Sequence, residues 1–123
     1  MATILIIDDE DVIGLIIRHH LEPDGHEVLQ AADGPSGIAL AERERPDAIV
    51  LDLMMPEMDG HEVLDHLKAD ERTREIPVVV LTVMRSFHRD ARCLQQGAVK
   101  VVGKPFDPAE LTVDLLELAA GDA

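Results

Sequence analysis

Charged and hydroxyl side chains follow most of the apolar runs in this 123-residue sequence. Two carboxylates follow ILII, one follows IVL, a hydroxyl lies near the end of PVVVLTV, and an ammonium follows VVG: Asp8, Asp9, Asp52, Thr82 and Lys104. Apolar runs of this length are typical of strands buried on both faces of a parallel sheet. Because ligands of such sheets bind just beyond the carboxyl ends of the strands, we expect these side chains to share one rim.

The residue types in this set indicate phosphoryl transfer. Three carboxylates converging on one rim would repel one another unless a cation neutralised them. Oxygen ligands without Cys or His favour Mg²⁺, or Mn²⁺, over zinc. A carboxylate nucleophile, a divalent ion, a lysine and a hydroxyl together make a phosphoryl-transfer site. Each residue also has a plainer interpretation, since a lone Asp commonly caps a helix or forms a turn, but their coincidence at successive strand ends favours the site.

A regular alternation of strands and helices must position these residues. The predicted strands are residues 4–7, 26–32, 47–52, 77–83 and 98–103, with the second at an edge. The predicted helices are residues 11–22, 36–46, 60–70, 86–96 and 108–119. This alternation predicts a parallel sheet with right-handed crossovers. The expected fold class is therefore α/β, a single doubly wound, flavodoxin-like domain over residues 1–123 with a five-stranded parallel sheet and five helices.

The composition narrows the function. A net charge of −14, from 25 acidic against 11 basic residues, argues against direct binding to nucleic acid or to an anionic membrane. No apolar run approaches the roughly 18 residues that span a bilayer, and the N-terminal residues lack the basic region of a signal peptide. The single cysteine, Cys93, cannot form an internal disulfide and is expected to pack in the core. We expect a soluble, cytoplasmic protein with an aliphatic core.

The sequence resembles the receiver domains of response regulators in two-component signalling, across essentially the whole chain. The matching pieces are ILIIDDE, LDLMMPEMDG, VVVLT and VVGKPF, in the order and spacing of that family. The resemblance implies that Asp52 accepts a phosphoryl group from a histidine kinase or a histidine phosphotransfer protein. It also implies that Asp9 and Asp52 bind Mg²⁺ directly, that Asp8 acts through water, and that the backbone carbonyl of Met54 completes the protein ligands.

The resemblance also assigns roles to residues around the acceptor. Thr82 would turn its hydroxyl to the phosphoryl group, Lys104 would pair with it, Pro105 would follow a cis peptide bond, and Gly60 would set the turn beside the site. Such a domain is a regulatory phosphoacceptor rather than an enzyme, and its output is contact with a downstream protein. No output domain is expected within residues 1–123. A homodimer through the fourth helix, fifth strand and fifth helix is an open alternative.

Two positions depart from the family pattern, and two others bear on hydrolysis of the phospho-aspartate. Val101 stands where receivers usually have a Tyr, Phe or His that swings inward, so the relay from Thr82 to the surface is in question. Val83 stands where a small Ala or Gly is usual, and its bulk predicts slow phosphorylation by small donors, which Val83→Ala would speed. The resemblance implies that Met54 and Met84 flank the path of the hydrolytic water, and neither side chain can orient water as a carboxylate or amide would. A slowly hydrolysed phospho-aspartate is therefore expected.

Three other functions fit parts of the pattern. A receiver-like docking module would work without phosphorylation, and Val101 keeps this alternative open. An aspartyl-phosphate phosphatase, resembling the haloacid-dehalogenase superfamily, would need a second acid two residues after the nucleophile, where this chain has Met54. A flavodoxin-like electron carrier is disfavoured, because the chain has no Trp or Tyr to stack on a flavin.

Overall fold

Five parallel strands form one sheet at the centre of the protein, in a computed structural model that describes residues 1–55 and 58–121. The strands are β1 (Thr3–Ile7), β2 (Glu27–Ala31), β3 (Ala48–Asp52), β4 (Val78–Thr82) and β5 (Lys100–Gly103). Their order across the sheet is β2-β1-β3-β4-β5. The winding direction reverses between β1 and β3, and an open parallel sheet forms its crevice there, at the carboxyl ends of the strands.

Five α-helices connect these strands within the described residues. They are α1 (Asp11–Leu21), α2 (Gly34–Glu44), α3 (Gly60–Ala69), α4 (Phe87–Gln95) and α5 (Pro108–Ala119), and a short 3₁₀ turn (Glu22–Asp24) follows α1. Four of the helices begin at a side chain that accepts a backbone N–H of the first turn: Asp33, Asp59, Ser86 and Asp107. The exception is α1, whose N-cap residue Glu10 makes no such bond, so its carboxylate is available for other contacts.

Aliphatic side chains fill both sides of the sheet. One face packs against α1 and α5, and the other packs against α2, α3 and α4. Helix α4 contributes least to this core, because Cys93 is its only buried residue. The central strands β3 and β4 are buried along their whole length. Their ends therefore give rigid support to any side chain placed there.

The predicted fold class is confirmed, and β2 lies at an edge of the sheet as expected. Element ends differ from the predicted ones by one or two residues. The last strand begins at Lys100 rather than Ala98, because the Ala98 N–H is bonded to the Cys93 carbonyl that closes α4. Within the described part of the chain, no helix has both the length and the apolar character needed to cross a membrane. Pro56 of the LDLMMPEMDG motif lies outside the described residues.

Candidate functional site

Two buried carboxylates lie side by side at the carboxyl ends of neighbouring strands. Asp8 directly follows β1, Asp52 ends β3, and each is 4% exposed. The two strands pair with Ile7 opposite Leu51, so the next residue of each strand comes to the same place on the rim. The Asp8 carboxylate accepts the Glu10 N–H at 2.8 Å, and Asp52 Oδ1 accepts a backbone N–H at 3.1 Å from Met54. The backbone thus orients both carboxylates.

The Lys104 ammonium bridges this carboxylate cluster from the loop after β5. Its Nζ lies 3.1 Å from Asp8 Oδ2, 3.0 Å from Glu10 Oε1 and 3.6 Å from Asp52 Oδ2. The lysine side chain is only 9% exposed, so water screens these charges weakly. The peptide bond between Lys104 and Pro105 is cis, as the resemblance implies. A cation from the far end of the chain therefore meets acids from its first ten residues.

Glu10 belongs to the cluster, although sequence reasoning did not single it out. Ligand oxygens of Asp8, Glu10 and Asp52 all lie within 4.8 Å of one another. The signal in the sequence was that Glu10 is the third acid of the DDE triplet. In the structure it is the N-cap residue of α1 and makes no capping bond. Asp9 differs from expectation in position, because its side chain is exposed and lies outside this set. Its direct binding of a metal ion stays a prediction.

Burial and like charges set the ionisation of the cluster. Burial raises the pKa of Asp52 to about 6, and the charge of Asp8 adds to this, while the Met54 N–H and Lys104 oppose it. Burial likewise raises the pKa of Asp8 against the Glu10 N–H and Lys104. Burial acts to lower the pKa of Lys104, but its bonds to Glu10 and Asp8 outweigh that effect and leave the pKa raised. Lys104 therefore stays cationic.

The donor set of the cluster fits a hard divalent cation. Three carboxylates face a single ammonium, so the cluster as a whole is left with negative charge when its acids are ionised. All the candidate ligand atoms are oxygens, which Mg²⁺ and Mn²⁺ prefer. Met54 follows Asp52 by two residues and is half exposed. Its carbonyl remains a predicted ligand.

Thr82 ends β4 beside the site, but its hydroxyl is bonded elsewhere. The residue is fully buried, and Oγ1 accepts the Met84 N–H at 3.2 Å, with the Met84 carbonyl at 3.4 Å. Val101 lies opposite Val80 in the sheet and is half-buried against the α2–α3–α4 face of the core. The strand positions match the predicted ones. The roles of Thr82 and Val101 in a relay stay predictions.

Gly60 lets the chain pass directly over the strand end. Its N–H donates to the Leu53 carbonyl at 3.1 Å. A Cβ at this position would lie 2.6 Å from Leu53 Cα and 2.9 Å from the Asp52 carbonyl oxygen, which are backbone atoms that cannot move aside. Only glycine therefore fits the turn that begins α3 next to the cluster.

Comparison with known protein families gives one consistent match. The family model of the response regulator receiver domain matches residues 4–116. The DNA-binding dual master transcriptional regulator RpaA of Synechocystis is 43% identical over 111 residues, which cover 90% of this chain and 46% of RpaA. Protein PilH of Pseudomonas aeruginosa is 35% identical over 121 residues, which cover 98% of this chain and all of PilH. The chain thus spans about half the length of RpaA but the full length of PilH.

Solved structures agree with this match. The receiver domain of the Francisella response regulator 1452 superposes with a TM-score of 0.89 at 28% identity, covering all of both chains. The receiver domain of the sensor histidine kinase PA1611 of Pseudomonas aeruginosa, which has a magnesium ion coordinated in its active-site cleft, superposes with a TM-score of 0.84 at 33% identity. That alignment covers 97% of this chain and 98% of the other.

Proposed function

Because this chain belongs to the response regulator receiver family, we propose that it is a phosphorylation-controlled switch in which Asp52 accepts the phosphoryl group. The observation that carries this proposal is the position of Asp52, buried at the end of β3 between Asp8 and the Lys104 ammonium. The donor is a histidine kinase or a histidine phosphotransfer protein, and the output is contact with a downstream protein. The proposed location is the cytoplasm, without direct contact to nucleic acid or membrane.

The transfer replaces one bond to phosphorus by another. A carboxylate oxygen of Asp52 forms the new P–O bond while the P–N bond to the donor histidine breaks, and the imidazole nitrogen keeps the electron pair of that bond. Asp52 must be ionised to attack, and its pKa of about 6 leaves it mostly ionised at neutral pH. Lys104 then exchanges part of its contact with Asp8 and Glu10 for a phosphoryl oxygen, whose charge it neutralises.

A divalent cation completes the charge balance of the proposed site. Asp8, Glu10 and Asp52 would hold it, and the family resemblance adds Asp9 and the Met54 carbonyl. Bound there, Mg²⁺ or Mn²⁺ would stabilise the negative charge on the phosphoryl oxygens.

The phospho-aspartate is proposed to be long-lived. Met54 and Met84 are both half exposed beside the site, and a thioether neither accepts a proton from water nor orients it well. The same two positions argue against turnover by a phosphatase mechanism. A homodimer through α4, β5 and α5 is supported by exposed apolar side chains on or next to these elements: Leu94, Val99 and Val113.

A docking module that works without phosphorylation is the second candidate. It is favoured by Val101, whose side chain packs against the core and has no ring to swing between two positions. The two candidates differ in one measurable respect, because only the switch responds to phosphoryl donors.

The deciding experiment exposes the chain to acetyl phosphate with Mg²⁺ and records its intact mass, with beryllofluoride and NMR as the second readout. The switch predicts a gain of one phosphoryl group in the wild type and none in Asp52→Asn. Asp24→Asn removes the same charge at an exposed turn and should gain the group like the wild type. Unchanged mass and spectra in the wild type would favour the docking module.

A further inference from the structure

A polar connection joins the first turn of α3 to the end of α4. The His61 ring, 7% exposed, places Nδ1 at 2.6 Å from Gln96 Oε1. The Gln96 Nε2 group donates to the His61 carbonyl at 3.1 Å and to Asp65 Oδ1 at 2.8 Å. Because the amide nitrogen makes both donations, Oε1 is the acceptor, and His61 Nδ1 carries the hydrogen. We call the side chains of His61, Asp65 and Gln96 the α3–α4 latch.

The same turn of α3 rests on the backbone that follows Asp52. The Gly60 N–H is bonded to the Leu53 carbonyl, and no room for even a methyl group separates Gly60 from Leu53. Backbone therefore touches backbone, without a flexible side chain between them to absorb a shift. A displacement of the peptide after Asp52 must move Gly60, and His61 moves with it.

Helix α4 buries little of its own surface. Cys93 is its only buried residue. Gln96 is the C-cap residue, and its N–H is bonded to the Arg92 carbonyl, so the latch grips the helix through its own last turn. These three hydrogen bonds therefore join the end of α4 directly to α3, on a helix that buries little of its own surface.

We propose that the α3–α4 latch carries the state of Asp52 to α4, by a route that does not pass through Val101. This inference rests on the proposed function, since it requires that the Asp52 site changes state. The route is a chain of direct contacts: the Asp52–Leu53 peptide, the backbone of Gly60, the ring of His61 and the amide of Gln96. This route connects the Asp52 site to α4, whereas Val101 in β5 has no aromatic ring that could do so by rotating.

The test measures amide chemical shifts of the full chain before and after addition of beryllofluoride and Mg²⁺. In the wild type, the loop after Asp52 and the amides of α4 should both respond. Gln96→Ala should keep the loop response and lose most of the α4 response. Gln95→Ala changes the exposed neighbouring glutamine and should respond like the wild type.

A charge exchange within the latch gives a second comparison. Gln96→Glu alone sets two carboxylates against each other at positions 65 and 96 and should uncouple α4. Adding Asp65→Asn puts the amide donor at position 65, keeps an oxygen for the His61 Nδ1–H and restores the net charge. The α4 response should then return. The ratio of the α4 response to the loop response is measured in folded molecules. If the latch only stabilised the fold, its loss would lower the melting temperature and leave this ratio unchanged.

The outcomes separate the latch from the proposed function. An α4 response in Gln96→Ala equal to that of the wild type overturns the latch, as does a double variant that stays uncoupled. A wild type with no response even in the loop after Asp52 overturns the phosphoacceptor function instead. Should Gln96→Ala lose its folded spectrum, the comparison of Gln96→Glu with the double variant decides.

Discussion

Replacing the buried Asp52 carboxylate should make the metal-free protein more stable, although it removes the proposed function. In Asp52→Asn the amide has nearly the same shape but no charge. The wild-type carboxylate is destabilised mainly by burial and then by the charge of Asp8, which together raise its pKa from the ordinary 3.8 to about 6. A carboxylate that is harder to ionise in the folded chain than in the unfolded chain works against folding wherever it is ionised.

The magnitude follows from the two pKa values. Between about pH 4 and pH 6 the folded chain holds the Asp52 proton while the unfolded chain releases it, so stability falls as the pH rises through this window. One pKa unit corresponds to about 1.4 kcal/mol, which makes the penalty about 3 kcal/mol at about pH 7.5 and about 1.6 kcal/mol at about pH 5. The advantage of Asp52→Asn should therefore grow by about 1.4 kcal/mol between these pH values.

Urea unfolding in the presence of a chelator measures this difference. Asp24→Asn is the matched control, because it changes the net charge of −14 by the same amount at an exposed position and reports the general relief of repulsion. Addition of Mg²⁺ should narrow the gap, since an ion that binds only the folded wild-type site stabilises it. If Asp52→Asn is no more stable than Asp24→Asn at neutral pH, or if its advantage does not change with pH, the account of a strained, buried carboxylate is wrong.

Three further changes test two structural contacts and the proposed slow hydrolysis. Gly60→Ala should lower the free energy of unfolding by about 3 kcal/mol in a urea titration, because the new methyl group meets backbone atoms. In the control Gly103→Ala the methyl group meets only a flexible side chain, so the loss should be less than about 1 kcal/mol. Lys68→Met should lower the free energy of unfolding by about 2 kcal/mol, because the half-buried Lys68 ammonium donates to two backbone carbonyls before β4. The control Lys100→Met removes an exposed ion pair and should lower it by less than about 1 kcal/mol. Met54→Asn should shorten the lifetime of the phospho-aspartate about tenfold in a phosphate-release assay, because an amide can orient water, and an unchanged lifetime would contradict the role given to this position.

Strand ends were predictable from the sequence, and helix-end contacts were not. Asp8 and Asp52 come together because two apolar runs form adjacent parallel strands, and the pattern of each run is local. The part played by Glu10 depends on a lysine 94 residues further along the chain, so its place in the DDE triplet could not by itself assign it to the cluster.

The α3–α4 latch was hidden for a similar reason. His61 and Gln96 are 35 residues apart, and each is a polar residue of a type that is common on the surface of a helix. Spacing along α3 shows only that His61 and His66 do not face the same way. The orientation of α4, which decides the partner of His61, follows from packing that hydrophobic periodicity does not specify, because Cys93 is the only residue this helix buries.

That sparse burial of α4 has a practical consequence. Its one buried residue is also the only thiol in the chain. Burial raises the pKa of Cys93, so the closed helix protects the sulfur both by excluding reagents and by disfavouring the reactive thiolate. A thiol reagent should modify only those molecules in which α4 has opened. The rate of Cys93 modification, divided by the rate for a free thiol, then gives the equilibrium constant for opening. The unmodified protein therefore carries its own chemical probe of how often α4 detaches from the core.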